Sequence, residues 1–355
     1  YKQGGIMRPQ TMNRQNLRFN LDHKINSKLT IGTSNSLTRT FRKIVPNDNS
    51  FGILLVGLGT ASMYPDFNSD GSYYWGGPLG NVMAMIRESD ETNVGLREIN
   101  NTYLEWKIIP NLVFKSSWSL DFNQSLNRAF NSTILNGPGS IASGYEATNY
   151  QYTWINEQTL KYNTAFNDVH HLTFLVGNTI EKTATKGFGV GASNYPNDDL
   201  KSLSAASQAD WWSGSKFESA LSSVFGRIDY EYQNRYILSL NARGDGSSKF
   251  GTNHRWGFFP AVGAAWRIIN ENFMSNQKVF SNLKLKASYG ITGSQVTISE
   301  YAAKGLWGGG FNYLGQPGTG PNQLANPDLK WEQTKQFNVG LEFGILENRI
   351  EGEIN

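Results

Sequence analysis

Residues 216–268 read KFESALSSVFGRIDYEYQNRYILSLNARGDGSSKFGTNHRWGFFPAVGAAWRI. Three alternating runs sit in this stretch. Val224, Gly226, Ile228, Tyr230 and Tyr232 share one parity, against Ser223, Arg227, Asp229 and Glu231, with Phe225 the one apolar intruder. Tyr236, Leu238, Leu240 and Ala242 then alternate with Ser239, Asn241 and Arg243, and Trp256, Phe258, Pro260, Val262, Ala264 and Trp266 alternate with mostly small residues. A strict period of two gives β-strands with one apolar and one polar face. The connections are unequal, a tight turn at Gln233-Asn234-Arg235 and a longer Gly/Ser/Asp loop from Gly244 to His254. One short end and one long end is the build of a transmembrane β-barrel. Trp256 and Trp266 share a parity ten residues apart. At ~3.3 Å per residue that run is about 33 Å long, and a tilt of ~40° projects it to about 25 Å, the height of an outer-membrane apolar band. Trp256, Trp266, Tyr230, Tyr232 and Tyr236 are therefore expected at the aromatic girdles.

The rest of the chain repeats this rhythm. Strands are expected at 16–25, 29–40, 96–107, 112–123, 148–164, 170–182, 283–291 and 336–345; the run 112–123 is not fully clean in phase, and 170–182 is apolar on both parities, which leaves its facing open. Short connections lie near residues 26, 110, 167, 234, 275 and 347. Long ones span roughly 41–95, 125–147, 183–216, 244–254 and 294–330. The first 10 residues are polar and unassigned, and the apolar runs 53–63 and 81–86 fit short helices inside a large loop. Loops of soluble domains are mostly ~4–6 residues and do not alternate in this way. The expected fold is all-β, an antiparallel transmembrane β-barrel contributing about twelve strands.

Composition agrees. The chain has 355 residues, 39% hydrophobic and 13% aromatic, and no apolar run approaches the ~18 residues of a transmembrane helix. A net charge of +3 gives no footprint for nucleic acid. The absence of cysteine excludes disulfides and thiolate metal sites and leaves the compartment open. The chain starts at Tyr1 and stops inside an alternating pattern, so sequence is expected to be missing on both sides.

Four strings are more specific than the pattern: DGSSKFG (245–251), RWGFFPAVGAAWRI (255–268), LKLKASYGITGSQ (283–295) and NPDLKWEQTKQFNVGLEFGI (326–345). Their order and spacing resemble the SusC/RagA family of TonB-dependent outer-membrane transporters, closely from about residue 217 onward and more loosely before it. The resemblance implies a parent barrel of about 22 strands, closed by an N-terminal plug. Residues 1–355 would be part of that barrel, with the plug and the closing strands absent. It also implies a location in the outer membrane, uptake of a glycan or an oligopeptide, a SusD-like surface lipoprotein as lid, and a TonB complex acting through the plug. A passive porin and a soluble all-β glycan-binding or adhesion protein are the alternatives.

The residues give no catalytic constellation. His23, His170, His171 and His254 lack metal-ligand spacing, and no cofactor is expected. Asp66, Asn68 and Asp70 resemble the start of a calcium loop, but Gly77 stands where the bidentate Glu belongs; an Asx/Gly turn explains the same residues. Tyr73, Tyr74, Trp75, Trp211, Trp212 and Trp307 all fall in the expected long loops. Flat rings stack on sugars or hold apolar side chains, so these six are the candidate substrate-binding residues.

Overall fold

The computed structural model describes residues 1–7, 9–45, 52–77, 79–135 and 137–355. One antiparallel sheet takes most of the chain. Its strands are β1 (Lys2–Gly4), β2 (Thr11–Lys24), β3 (Leu29–Ile44), β4 (Asp90–Ile109), β5 (Leu112–Asn131), β6 (Ser143–Phe166), β7 (His170–Ser193), β8 (Gln208–Tyr232), β9 (Tyr236–Ser247), β10 (Trp256–Arg267) and β11 (Phe280–Ser294). A separate two-stranded hairpin follows, β12 (Leu306–Gly309) with β13 (Thr319–Gln323), before β14 (Glu332–Ile345) and β15 (Ile350–Ile354) complete the sheet. Each of the thirteen strands pairs with its neighbour in sequence, β14 following β11, in an unbroken up-and-down meander.

The register sorts the side chains. Ile228 stands opposite Leu240, and Leu240 opposite Val262. Val262 stands opposite Tyr289, and Tyr289 opposite Phe337. In the other direction Ile228 faces Phe174, and Phe174 faces Tyr162. Leu17, Leu37, Trp118, Val176, Val224, Phe258 and Val339 share this face, and all are exposed. A soluble sheet would bury such a row; a wall facing lipid leaves it bare. The other face carries Arg97 with Asp121, Arg227 with Asp229, Arg243 with Asp245, and Lys284 and Lys286 with Glu342.

The short turns lie where the sequence places them. Asn167 and Asp168 take φ of 51° and 55°, and Gln233 and Asn234 take 49° and 54°. Positive φ at both central positions is the hairpin geometry whose twist matches the flanking strands, and Asn and Asp tolerate it. The connection from β10 to β11 contains two short 3-10 turns, Ile268–Asn270 and Asn272–Met274.

The long-loop end differs from the expected one. β7 and β8 run through most of 183–216, leaving only residues 194–207 between them, so Trp211 and Trp212 lie on β8 and not in a loop. The loop expected at 125–147 shrinks to 132–142, and that at 244–254 becomes 248–255. β2 starts at Thr11, earlier than the alternation suggests, and β1 pairs with it. The cause is common to these shifts. Above the lipid neither face must be apolar, so segments such as TATKGFGVGAS (183–193) form strands with no alternation to read. The large loop between β3 and β4 does contain two short helices, α1 (Ile53–Gly59) and α2 (Val82–Glu88). Residues 46–51 of that loop, and Asn136 of the expected 136–139 turn, lie outside the described residues. Among the described residues no helix is long and apolar enough to cross a membrane.

Among the described residues the buried clusters sit at the long-loop end. Phe130 meets Tyr195 edge-on at 5.1 Å, with Ala142 beside them. Phe250, Phe259 and Trp331 form a second cluster, with Trp331 4.5 Å from Phe250 and 5.3 Å from Phe259 between ring centroids. In this cluster three of the distinctive strings meet, 245–251, 255–268 and 326–345: the amide of Gly251 donates to the Leu329 carbonyl at 2.9 Å, and Trp331 Nε1 donates to the Arg255 carbonyl at 3.1 Å.

Candidate functional site

The candidate aromatics divide into three stations. The first is a cleft of about 670 Å³ between the β3–β4 loop and the β5–β6 loop. Tyr73, Tyr74 and Trp75 line it, facing Thr133, Ile134 and Gly137–Gly139. The segment 66–74 is a small hairpin. Phe67 and Tyr73 form an isolated bridge, their rings 5.4 Å apart, and the Asn68 amide donates to the Ser72 carbonyl at 2.8 Å. Asn81 fastens the hairpin to α2. Its Nδ2 donates to the carbonyls of Asp66 at 2.6 Å and Tyr74 at 3.0 Å, while its Oδ1 caps the helix by accepting from the Ala84 amide at 2.9 Å. Tyr74 stacks on Tyr64 at 6.2 Å.

Trp75 crosses to the other wall. Gly137 has φ +92°, and a Cβ there would lie 3.2 Å from the indole, so the ring rests on the glycine backbone. Only glycine meets both requirements, positive φ and close approach. The Tyr73 hydroxyl donates to Glu88 Oε1 at 2.7 Å. Burial raises the Tyr73 pKa above its ordinary value, helped by that hydrogen bond and the carboxylate's charge, so the phenol stays a donor at neutral pH. The opposite wall is fixed as well: the Thr133 hydroxyl and amide donate to Asp198 at 2.6 and 2.8 Å. The result is a cleft whose two walls are each hydrogen-bonded in place, with half-buried rings and a glycine floor.

Trp211 and Trp212 are neighbours on a strand, so they point to opposite faces. Trp211 stands opposite Gly191 and lies over Gly189 and Gly191, where any Cβ would crowd its ring. It approaches Tyr145 at 6.3 Å, and the Tyr145 hydroxyl reaches Glu91 Oε1 at 3.4 Å. This row belongs to the polar face. Trp212 stands opposite Val190 on the other face and is 79% exposed. Trp307 is separate from both, on the β12–β13 hairpin and 72% exposed. Three hydrogen bonds from Gln323 Nε2 to the carbonyls of Tyr301, Ala302 and Lys304 hold the base of that hairpin.

The six candidates therefore do not form one site. Tyr73, Tyr74 and Trp75 come together, Trp211 joins Tyr145 and Glu91, and Trp212 and Trp307 stand apart. Sequence reasoning missed Tyr64 and Phe67, which touch Tyr74 and Tyr73 within the β3–β4 loop, and Gly137, which meets Trp75 from the β5–β6 loop. It also missed Tyr145, which alternation would have placed had β6 been extended to Ser143.

Asp66, Asn68 and Asp70 form the hairpin turn itself. Asp70 Oδ1 accepts from the Ser72 hydroxyl at 2.6 Å and its amide at 3.0 Å, which lowers the Asp70 pKa, and Asn68 Nδ2 donates to Ser72 Oγ and the Tyr73 carbonyl. Among the described residues no cluster of three or more His, Asp or Glu side chains is placed to hold a metal.

The five girdle candidates lie on the apolar face. Tyr230, Tyr232, Tyr236 and Trp266 gather at its short-turn end, where Tyr232 stacks on Tyr236 at 6.3 Å. Phe166 and His170 extend this row, with rings 4.4 Å apart and His170 Nδ1 2.8 Å from the Tyr230 hydroxyl. Glu271 caps it, accepting from the Tyr236 hydroxyl at 2.6 Å and Trp266 Nε1 at 2.9 Å, with Arg235 at 3.4 Å. Trp256 stands alone at the other end of β10, opposite Gly246.

Residues 23–353 match the family model described as TonB dependent receptor-like, beta-barrel. The TonB-dependent receptor P39 of Formosa agariphila is 30% identical over 357 residues, covering 98% of this chain and 33% of its own length. The TonB-dependent receptor SusC of Bacteroides thetaiotaomicron is 33% identical over 236 residues, 61% of this chain and 23% of its own. Among solved structures, the RagAB peptide transporter superposes with a TM-score of 0.84 at 24% identity, over 97% of this chain and 40% of that one. The chain thus spans about a third of the length of the first curated relatives it matches.

Proposed function

We propose, from the premise that the chain belongs to the TonB-dependent receptor β-barrel family in its SusC/RagA branch, that it forms part of the wall and outer rim of a nutrient importer in the outer membrane. The apolar face meets lipid, with aromatic girdles at Trp266, Tyr230, Tyr232 and Tyr236 on the inner side and Trp256 on the outer. The charged face lines a barrel of about 22 strands and its plug. The plug would transmit energy from a TonB complex, and a SusD-like lipoprotein would close the long-loop end.

The cargo we infer is a glycan. The observation that carries this is the Tyr73–Trp75 cleft, with broad rings, a glycine floor and hydrogen-bonding groups at its edges. Rings held in this way offer stacking area to a sugar face without losing rotamer entropy on binding. The Trp211–Tyr145–Glu91 row on the same side of the sheet as the barrel lining would be the next contact for a sugar passing inward. Asp70 Oδ1 and Asn68 Nδ2 hydrogen-bond to Ser72 and Tyr73, which favours an Asx turn over a calcium loop.

Titration calorimetry of the protein purified from outer membranes, with oligosaccharide and oligopeptide libraries, tests the reading. W75A is expected to weaken glycan binding about tenfold, the loss of one ring contact of ~1.4 kcal/mol. W211A is expected to slow uptake, and W212A to leave it unchanged. Peptide binding that W75A weakens, with no response to any sugar, would replace the glycan by a peptide in the same cleft.

A further inference from the structure

The apolar face does not end in neutral residues. On β6 and β7 its upper part carries Lys182 opposite Trp154, Ala184 opposite Tyr152 and Lys186 opposite Tyr150. On β8, Lys216 stands directly opposite Lys186, and Glu218 opposite Ala184. Three ammonium groups therefore share one patch with one carboxylate. Glu218 is 3.1 Å from Lys216 and 4.0 Å from Lys182, while Lys186 has no ion pair among the described residues and lies 5.9 Å from the Tyr150 ring centroid. Like charges directly across a strand pair are destabilising. Two rungs farther out, Arg128 and Glu146 neutralise each other at 3.7 Å.

Height fixes the setting of the patch. Phe166 and His170 continue the inner girdle row on these strands. An apolar band about 25 Å tall corresponds to about ten residues of a strand tilted by ~40°. Ten residues up from Phe166 is Asn156, and ten up from His170 is Ile180, the rung that the register carries through Ser222 and Gly246 to Trp256. Lys182 lies two residues above this level and Lys186 six. The lysines stand just outside the hydrocarbon, in the layer of outer-leaflet headgroups, with Tyr150, Tyr152 and Trp154 as an aromatic belt beside them.

We propose that Lys182, Lys186 and Lys216 form a binding site for a phosphate-bearing lipid headgroup of the outer leaflet. The phosphate sits between Lys186 and Lys216, relieving their repulsion, and Lys182 reaches the lower side of the headgroup. The acyl chains run down the apolar face past Ile180 and Val224. The proposal rests on the outer-membrane setting but not on the cargo, and it would survive a peptide in place of a glycan.

The test is retention of phosphatidylglycerol by the protein purified from outer membranes, in phosphatidylcholine nanodiscs with and without added phosphatidylglycerol, read by native mass spectrometry. Each basic residue near an anionic surface is worth about fivefold in affinity, so K186Q/K216Q is expected to lower retention about thirtyfold. K186R/K216R should keep it, and K278Q, in the connector at the opposite end of the strands, should not change it. Heat-modified gel mobility identifies folded protein for each variant. Equal retention by K186Q/K216Q and the parent would overturn the site, as would an equal loss in K278Q. Displacement of the lipid by millimolar inorganic phosphate would also overturn it, in favour of a free-anion site.

Discussion

Replacing Trp331 by alanine should open the outer rim without unfolding the wall. The indole is 9% exposed and packs on Phe250 and Phe259, and its Nε1 holds the Arg255 carbonyl. Truncating a buried Trp costs ~3–5 kcal/mol through lost transfer energy and the cavity left behind. The lost hydrogen bond is ~1 kcal/mol of that and leaves a carbonyl unpaired. The loss should stay local, because the ladder below is continuous and the hydrogen bonds around the cluster tie the 248–255 loop to residues 326–331. Hydrogen exchange on the protein in nanodiscs reads this directly. The amides of Gly251, which donates to Leu329, and Asn253, which donates to Pro327, should lose about a hundredfold to several thousandfold in protection, while β9 and β10 amides keep theirs. W331F keeps the ring packing and should lose about tenfold. Unchanged protection in W331A would refute the view that this cluster holds the loop, and equal losses in W331A and W331F would assign the effect to the hydrogen bond alone.

Two further outcomes are expected. The Tyr236 hydroxyl, then Trp266 Nε1–H and Arg235, hold the Glu271 pKa below its ordinary 4.5, so its contribution is present above that value and is lost as pH falls through the depressed folded pKa. Exchange at the Met274 amide, which donates to the Glu271 carbonyl, should rise on acidification below pH 4.5 in the parent, while E271Q shows no such step. Chelator should leave the thermal unfolding of the 66–74 hairpin unchanged, because Asp70 and Asn68 are held by Ser72 and Tyr73; a downward shift restored by calcium would reinstate the ion.

Legibility in the sequence follows the environment. Where lipid covers one face, alternation is forced, and runs such as Tyr236–Ala242 or Trp256–Trp266 give strand, face and register together. Where β6, β7 and β8 rise beyond the lipid, both faces can be polar or small, and the signal disappears; the segment 183–216 reads as loop for this reason. The site suffers from the same loss. Trp211 and Trp212 look equivalent in a loop but are opposites on a strand. The cleft is less legible still, since Trp75 and Gly137 are joined across two loops, and no local spacing records that contact. The distinctive strings 245–251 and 326–345 were visible as words, but only the fold shows that they meet around Trp331.

The long strands also bear on how this chain survives at a cell surface. β8 runs for 25 residues, about 80 Å of backbone, of which the apolar band accounts for only about 33 Å. Much of the remainder projects outside as hydrogen-bonded ladder, where secreted proteases work. A protease must draw an extended segment into its own cleft, and a strand paired on both edges cannot be drawn in without breaking two ladders at once. Cleavage should therefore concentrate in the span between β11 and β14, around the exposed tip at Tyr313 and Leu314, and a nick there leaves the thirteen-stranded wall intact.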